Sequence, residues 1–307
     1  LIIFLKKKKI HSNFKLSNKT KLIFINNSKS FFFKKNLKYY LKKKRNYFNY
    51  KDLIEFKKKY PNIPIVHRIN DTDIARGTNF INKNIKKVNK LSDTTIFISN
   101  WIKRYFLKKK LKPKKYNVIE NIANHKLFNL NKKKFWKKNQ TFKIVTHHWS
   151  TNFQKGFAEY LVLDRSLATN KDKKINFYII GNTPRNLNWK SAKLIKPLRD
   201  KMLANKLKKF DAYISGAKFE AGANHVIEAL QCGLPVMYFK NSGSIEEQVK
   251  KKRYGIKTSK MKILNDLNTL IKNYGFYKKN IIKDFGSFDN KYMYLSYYKV
   301  IKNLLNE

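Results

Sequence analysis

Two of the eight glutamates in this chain, Glu220 and Glu228, lie eight residues apart around what reads as the start of a helix. The run is Phe219-Glu220-Ala221-Gly222-Ala223-Asn224-His225-Val226-Ile227-Glu228-Ala229-Leu230-Gln231-Cys232-Gly233-Leu234-Pro235-Val236. It reads as a loop, a helix, a glycine stop and a new strand. Gly233 suits the left-handed residue that ends a helix, and Pro235 suits the first position of a strand. Gly222 and Ala223 are small residues at the helix N-terminus, where free backbone N–H groups and the helix dipole favour a phosphate. On one ideal helix an offset of eight residues is about 80° of rotation and about 12 Å of rise. With Glu220 in the preceding loop, both carboxylates can face one elongated ligand, one at each end, with phosphates between them.

Other polar residues fall at predicted strand ends. His147 and His148 are neighbours on a strand, so they point to opposite faces and do not share a metal. One of them, taken here as His148, is expected to line the ligand cleft. His67-Arg68 closes an earlier strand, and Asp71-Thr72-Asp73 follows. An Asp-x-Asp pair can hold a metal against a diphosphate. The downstream glutamate pair argues for a different chemistry, and no metal is expected. His67, Arg68 and Asp71 are instead assigned to the acceptor side, with a core histidine as the competing reading of His67. The single cysteine, Cys232, excludes an intrachain disulfide and a cysteine-built zinc site, which fits a reducing cytoplasm.

The elements that must position these groups alternate. Short apolar runs suited to strands fall at 22–25, 65–67, 95–98, 116–119, 142–146, 176–180, 212–214 and 236–238. Helical stretches lie between nearly all of them. Such alternation predicts an α/β protein with parallel sheets covered by helices on both faces, and ligand sites just after the strands. The polar, lysine-rich stretch 129–140 separates two groups of about four strands. Residues 1–135 are therefore read as one Rossmann-like domain and 136–285 as a second. An aromatic helix within 286–307 packs back on the first. No glycine precedes Gly77, so the first strand lacks a glycine-rich turn, and the first domain is read as short or truncated.

Lys and Arg total 70 against 19 Asp and Glu, a formal net charge of +51 over 307 residues. Only eight of the 70 are Arg, and Lys, Asn, Ile, Phe and Tyr are inflated together, as in an AT-biased coding sequence. The lysines are spread along the chain, and no helix-turn-helix, zinc-finger or RNA-recognition pattern accompanies them. Nucleic acid is not expected as a partner. An apolar face of Phe33, Leu37, Tyr40 and Leu41 emerges from a basic background over 31–45. It predicts a helix that either faces a core or lies on an anionic membrane, with Lys6 to Lys9 and Lys57 to Lys59 adding to the charge. No apolar run approaches the length of a membrane span.

Glu-x7-Glu followed by Ala-Leu-x-Cys-Gly-Leu-Pro-Val resembles the C-terminal half of GT-B glycosyltransferases of family 4. Lys155-Gly156-Phe157 resembles that family's Lys-Gly element. Ile179-Ile180-Gly181-Asn182 resembles its strand-glycine turn, and Ser242-Gly243-Ser244-Ile245-Glu246 its Gly-Gly-x-x-Glu turn. Ile98-Ser99-Asn100-Trp101 and Val118-Ile119-Glu120-Asn121 resemble elements closing its first domain. The resemblance covers about residues 63–255. It implies two Rossmann-like domains whose sheets face a central cleft, and a retaining, metal-independent transfer without cofactor. The donor would be a nucleotide-diphosphate sugar, and the acceptor a glycan or lipid-linked acceptor in cell-surface polysaccharide or lipopolysaccharide synthesis.

By the same resemblance Lys155 neutralises the departing diphosphate and Glu220 contacts the transferred sugar. Glu228 holds ribose hydroxyls, and the amides around Gly222, Ala223 and Asn224 hold phosphates. Gly181, Gly243, Glu246 and His148 complete the donor side. The family commonly carries an Arg shortly before the Lys; the stretch 147–154 here has none, which leaves the charge to Lys155 and a His. The expected location is cytoplasmic, peripheral at the inner face of the membrane. The competing readings are a protein of this fold that only binds and a charge-driven nucleic-acid binder.

Overall fold

The computed structural model describes residues 16–26, 48–170, 174–250 and 253–305. The amphipathic stretch 31–45 and Lys6 to Lys9 lie outside them. The described chain forms two compact units. One comprises Leu1–Glu120 together with Lys291–Glu307, the other Asn121–Asn290.

The first unit is built on four parallel strands in the order β1-β2-β3-β4: Ile23–Ile25, Ile65–Ile69, Thr94–Phe97 and Tyr116–Val118. Side chains alternate across this sheet, so successive residues feed two cores. Ile23, Ile25 and Ile65 pack with Leu53, Phe56 and Val88 on one side. Val66, Ile96 and Ile119 pack with Tyr297 on the other. Leu53 and Phe56 come from helix α1, Tyr50–Lys59, and Val88 from α3, Ile81–Asn89, which follows the single turn α2, Asp73–Arg76. The α1 start is fixed by a reciprocal cap. Asn49 Oδ1 accepts from the N–H groups of Lys51 (2.8 Å) and Asp52 (3.2 Å), and Asp52 Oδ2 accepts from Asn49 N–H (2.7 Å). Helix α4 spans Asn100–Lys108.

The second unit carries six parallel strands: β5 Phe142–His148, β6 Ile175–Gly181, β7 Lys193–Ile195, β8 Ala212–Ser215, β9 Val236–Phe239 and β10 Gly255–Thr258. Their order is β10-β9-β8-β5-β6-β7. Helices α5 Phe157–Thr169, α6 Asp200–Leu207, α7 Asn224–Gln231, α8 Ser244–Lys250, α9 Ile263–Lys272 and α10 Tyr274–Lys283 connect or cover them. Alternation again splits the interior. Val145, Ile180 and Tyr213 face α6 and α7. Ile144, Ile179 and Ile214 face α5 and α9. Both faces are buried, which is why the central strands read as unbroken apolar runs.

The units meet in sequence at 120/121, not within 129–140. That polar stretch is a strap on the second unit. Phe128 is 5% exposed in a core with Leu230 and Leu234. Gln231 accepts from the Ala123 N–H at 2.9 Å, and the Lys133 ammonium donates to the carbonyls of Lys208 (3.4 Å) and Phe210. The last helix, α11 Asn290–Leu305, contributes Tyr297 to the first unit's core. No helix among the described residues is long and apolar enough to cross a membrane.

Candidate functional site

The chemistry-bearing residues of the second unit collect where its parallel strands end. After β5 the chain makes a tight turn, Phe153–Lys155, and then Gly156 (φ +96°) starts α5. A Cβ on Gly156 would lie 2.3 Å from the carbonyl carbon of Gly216, just after β8. Only two glycines allow these backbones so close, and the approach sets Lys155 beside the loop leading to α7. There Lys155 Nζ donates to Glu220 Oε1 at 2.5 Å, with the two side chains 26% and 16% exposed. Charge-assisted contacts of this kind are short and strong in a part-buried setting.

Glu220 is held by backbone, not by a regular element. Phe219, at φ +55°, donates its N–H to the Asn241 carbonyl (2.8 Å). Glu220 N–H donates to the Ser242 carbonyl (3.3 Å), and its own carbonyl accepts from Ser244 N–H (2.8 Å). Gly243 sits opposite at φ +74°. The loop carrying Glu220 is thus stitched to the turn after β9.

Glu228 lies one turn inside α7. Its Oε2 is 2.8 Å from His147 Nε2, and a carboxylate only accepts, so the imidazole donates through Nε2. His147 is 5% exposed. The Tyr213 hydroxyl accepts from the His147 N–H (3.0 Å) and donates to its carbonyl (3.2 Å). Burial raises that phenol well above its usual range. His225, at the start of α7, meets Ser215 Oγ through Nε2 at 3.0 Å. Burial drives it well below the usual imidazole range, so it stays neutral.

The histidine that meets a glutamate is His147. His148 packs on Phe157 (4.8 Å between centroids) and Tyr160 (6.1 Å), burial pulls it down to about 4, and neither ring nitrogen has a protein partner. Strand parity carries the missed signal. Val145 packs with Val226 and Ala229 of α7, and by strand parity His147 shares its face, whereas Ile144 lies on the other with Phe157 and Tyr160. At the helix start, Ala223 N–H donates to Ser244 Oγ (3.1 Å) and Asn224 N–H folds back to the Gly222 carbonyl (3.0 Å). Those two amides are engaged. What α7 offers an anion is its positive end, which no side chain caps. Glu246, on α8, pairs with Lys257 at 3.6 Å.

Gly181 closes β6 and lines a recess of about 610 Å³ with Thr151, Asn182, Arg185, Ile195 and Pro197. On the same strand-end side, Asn182 Nδ2 donates to the Trp149 carbonyl (2.8 Å), and the Arg199 guanidinium covers the half-exposed Trp149 ring at 4.3 Å. A larger hollow of about 1300 Å³, lined by Lys132, Lys143 and Lys208 among others, opens where β5 and β8 begin. In parallel α/β sheets ligands bind at the carboxyl ends, which favours the first recess.

The first unit treats its candidates as structure. His67 is fully buried in mid-strand, 3.4 Å from Asn89 Nδ2, and burial pushes it down to about 3. The core reading of His67 therefore replaces the acceptor-side one. Arg68 donates to Tyr297 Oη (2.7 Å) and Asn26 Oδ1 (2.9 Å). Asp71 accepts from Arg76 Nε with both oxygens (2.9 and 2.8 Å). Asp73 accepts from Ile81 N–H, Asn82 N–H and Thr78 Oγ1, so it organises a turn. Among the described residues no three His, Cys, Asp or Glu side chains gather as a metal site.

No family model and no curated protein matches the sequence. Solved structures do match the fold. Sucrose-phosphate synthase from Thermosynechococcus elongatus superposes with a TM-score of 0.67 at 14% identity, over 93% of this chain and 74% of that one. HepE of Anabaena, in complex with UDP and glucose, gives 0.61 at 16% identity over 82% and 75%. A glycosyltransferase from Rickettsia africae gives 0.61 at 15% identity over 99% and 87%. The chain has the GT-B fold.

Proposed function

We propose that this chain is a glycosyltransferase that moves a sugar from a nucleotide-diphosphate donor to a glycan or lipid-linked acceptor, with retention and without a metal. The carrying observation is the Lys155–Glu220 contact at the carboxyl edge of the second sheet, beside the uncapped start of α7. The GT-B fold and a neighbour solved with UDP and glucose support it.

In this reading the diphosphate lies between Lys155 and the α7 start. The bond from the anomeric carbon to the phosphate oxygen breaks, and the electron pair leaves with the diphosphate. The acceptor hydroxyl bonds to the anomeric carbon on the same face and gives its proton to the departing phosphate oxygen. Lys155 stabilises the charge that develops there; a cation fixed before the reaction costs no reorganisation during it. Glu220 stands at the transferred sugar, Glu228 takes the ribose hydroxyls, and the recess at Gly181 and Pro197 takes the base. Membership of family 4, a role in cell-surface polysaccharide synthesis and work at an anionic membrane face belong to the same proposal.

The test is donor turnover with a panel of nucleotide sugars. Glu220→Gln and Lys155→Ala should each lower kcat by about 10²–10³-fold with nucleotide binding retained for Glu220→Gln. Wild-type rates in Glu220→Gln would remove Glu220 from the reaction. Nucleotide binding by the wild type without transfer to any acceptor or water would make the chain a binding protein.

A further inference from the structure

We propose that His147 is a positioning residue that sets the selectivity of Glu228 for a nucleoside diphosphate with both ribose hydroxyls. This rests on the proposed placement of the donor ribose at Glu228 and adds the group that makes that carboxylate selective.

The imidazole has little freedom. Its backbone is clamped on both sides by the Tyr213 hydroxyl. Its ring meets the Tyr213 ring edge-on at 5.4 Å and the His225 ring at 6.2 Å. His147 therefore presents Nε2–H in one direction, toward Glu228 Oε2 at 2.8 Å. Among the described residues His147 is the one hydrogen-bond partner of the Glu228 carboxylate, whose side chain is 24% exposed. A glutamate on a helix has three rotatable bonds. Without His147 it can swing its carboxylate through solvent, and a vicinal diol would first have to order it. With His147 the carboxylate plane is set before the ligand arrives, and preorganisation of this kind favours the ligand that uses the fixed geometry. A site built to hydrogen-bond a hydroxyl rejects the analogue that lacks it because its own polar groups are left unpaired. The rejection is strongest when the acceptor cannot relax, which is what His147 enforces.

The consequence is a selectivity, not only an affinity. Calorimetry with UDP, ADP and GDP identifies the nucleotide bound by the wild-type chain, and its 2′-deoxy counterpart then gives a ratio of dissociation constants. Wild type should prefer the ribonucleotide by tenfold or more. His147→Ala should weaken the ribonucleotide by about tenfold, leave the deoxynucleotide within about twofold and so collapse the ratio. His147→Gln, which keeps an amide donor near the Nε2 position, should restore most of it. Adding His147→Ala to Glu228→Ala should remove no further discrimination.

A merely structural role predicts that both nucleotides weaken together with the ratio preserved, and that result would overturn the proposal. So would a fully selective His147→Ala, or a Gln variant that is folded and no more selective than Ala. Wild type that binds none of the nucleotides would instead fell the glycosyltransferase reading itself, and this inference with it.

Discussion

Burial keeps the His67 imidazole neutral, with a single ring proton, at neutral pH. Its folded-state value sits near 3 against 6.5 for an exposed imidazole, and desolvation is the cause. The unfolded chain takes up a proton below about pH 6.5, whereas the folded chain does not until about pH 3. Stability from this residue is thus complete above 6.5 and falls as pH drops, by about 1.4 kcal/mol per unit. Urea melts of the first unit at pH 7 and pH 5 should show that loss in wild type and a smaller one in His67→Leu. Leu fills the site without the unpartnered Nε2, while Asn89 keeps its 2.7 Å bond to Thr95. Equal pH dependence in the two proteins would count against a neutral core histidine. His67 also marks how far residue types can be read. Glu220 and Glu228 are conspicuous in the sequence because acids are scarce in this chain, and Lys155 only because Lys155-Gly156-Phe157 resembles an element of a known family. The histidines are not legible in that way, because a histidine at a strand end serves a core, a ligand or a neighbouring carboxylate equally well. Facing decides among these, and facing is set by strand register.

At the level of elements, the loop that carries Glu220 depends on one glycine. A Cβ on Gly243 would lie 2.4 Å from the Glu220 carbonyl oxygen and 2.6 Å from its nitrogen, at a φ of +74° that side chains rarely adopt. Both backbone bonds joining Glu220 to the 242–244 turn would have to give way. Gly243→Ala should cost well over 1 kcal/mol and displace Glu220 from Lys155, so thermal stability and donor turnover should fall together. Gly275→Ala is the control, because a Cβ there meets nothing within 4 Å and the residue lies in α10. It should be neutral or mildly stabilising, since Ala exceeds Gly in helix propensity. Matching effects of the two substitutions would show that Gly243 serves no more than a generic turn. All eight strands expected from the sequence are present. Among the described residues the two it missed, β7 and β10, are the edges of the six-stranded sheet. Their residues Lys193-Leu194-Ile195 and Gly255-Ile256-Lys257-Thr258 are half exposed, so they carry lysine and lack the apolar run that marks a strand buried on both faces.

The chain as a whole is divided unequally by sequence. The second unit is one continuous segment with a core on each side of its sheet. The first is assembled from both ends, and composition obscured the junction, because a lysine-rich stretch can be a linker or, as with 129–140, a strap whose Phe135 and Trp136 pack inward. The discontinuity has a thermodynamic consequence. Tyr297 is 3% exposed and Ile301 2% exposed; Tyr297 packs on Val66, Ile96 and Ile119, and its hydroxyl accepts from Arg68 Nε. Fully burying one such side chain contributes roughly 1.5–3 kcal/mol, a large share of the stability of a small domain. Residues 121–290 alone should therefore melt cooperatively, whereas 1–120 alone should expose one face of its sheet and melt broadly or aggregate. Ile119 and Tyr297 share a core, so a short glycine-serine linker can join 1–120 to 291–307 in one chain. That joined protein should recover a cooperative thermal transition that 1–120 lacks. A fragment 1–120 as stable as the joined protein would show that the last helix is attached to a core already complete without it.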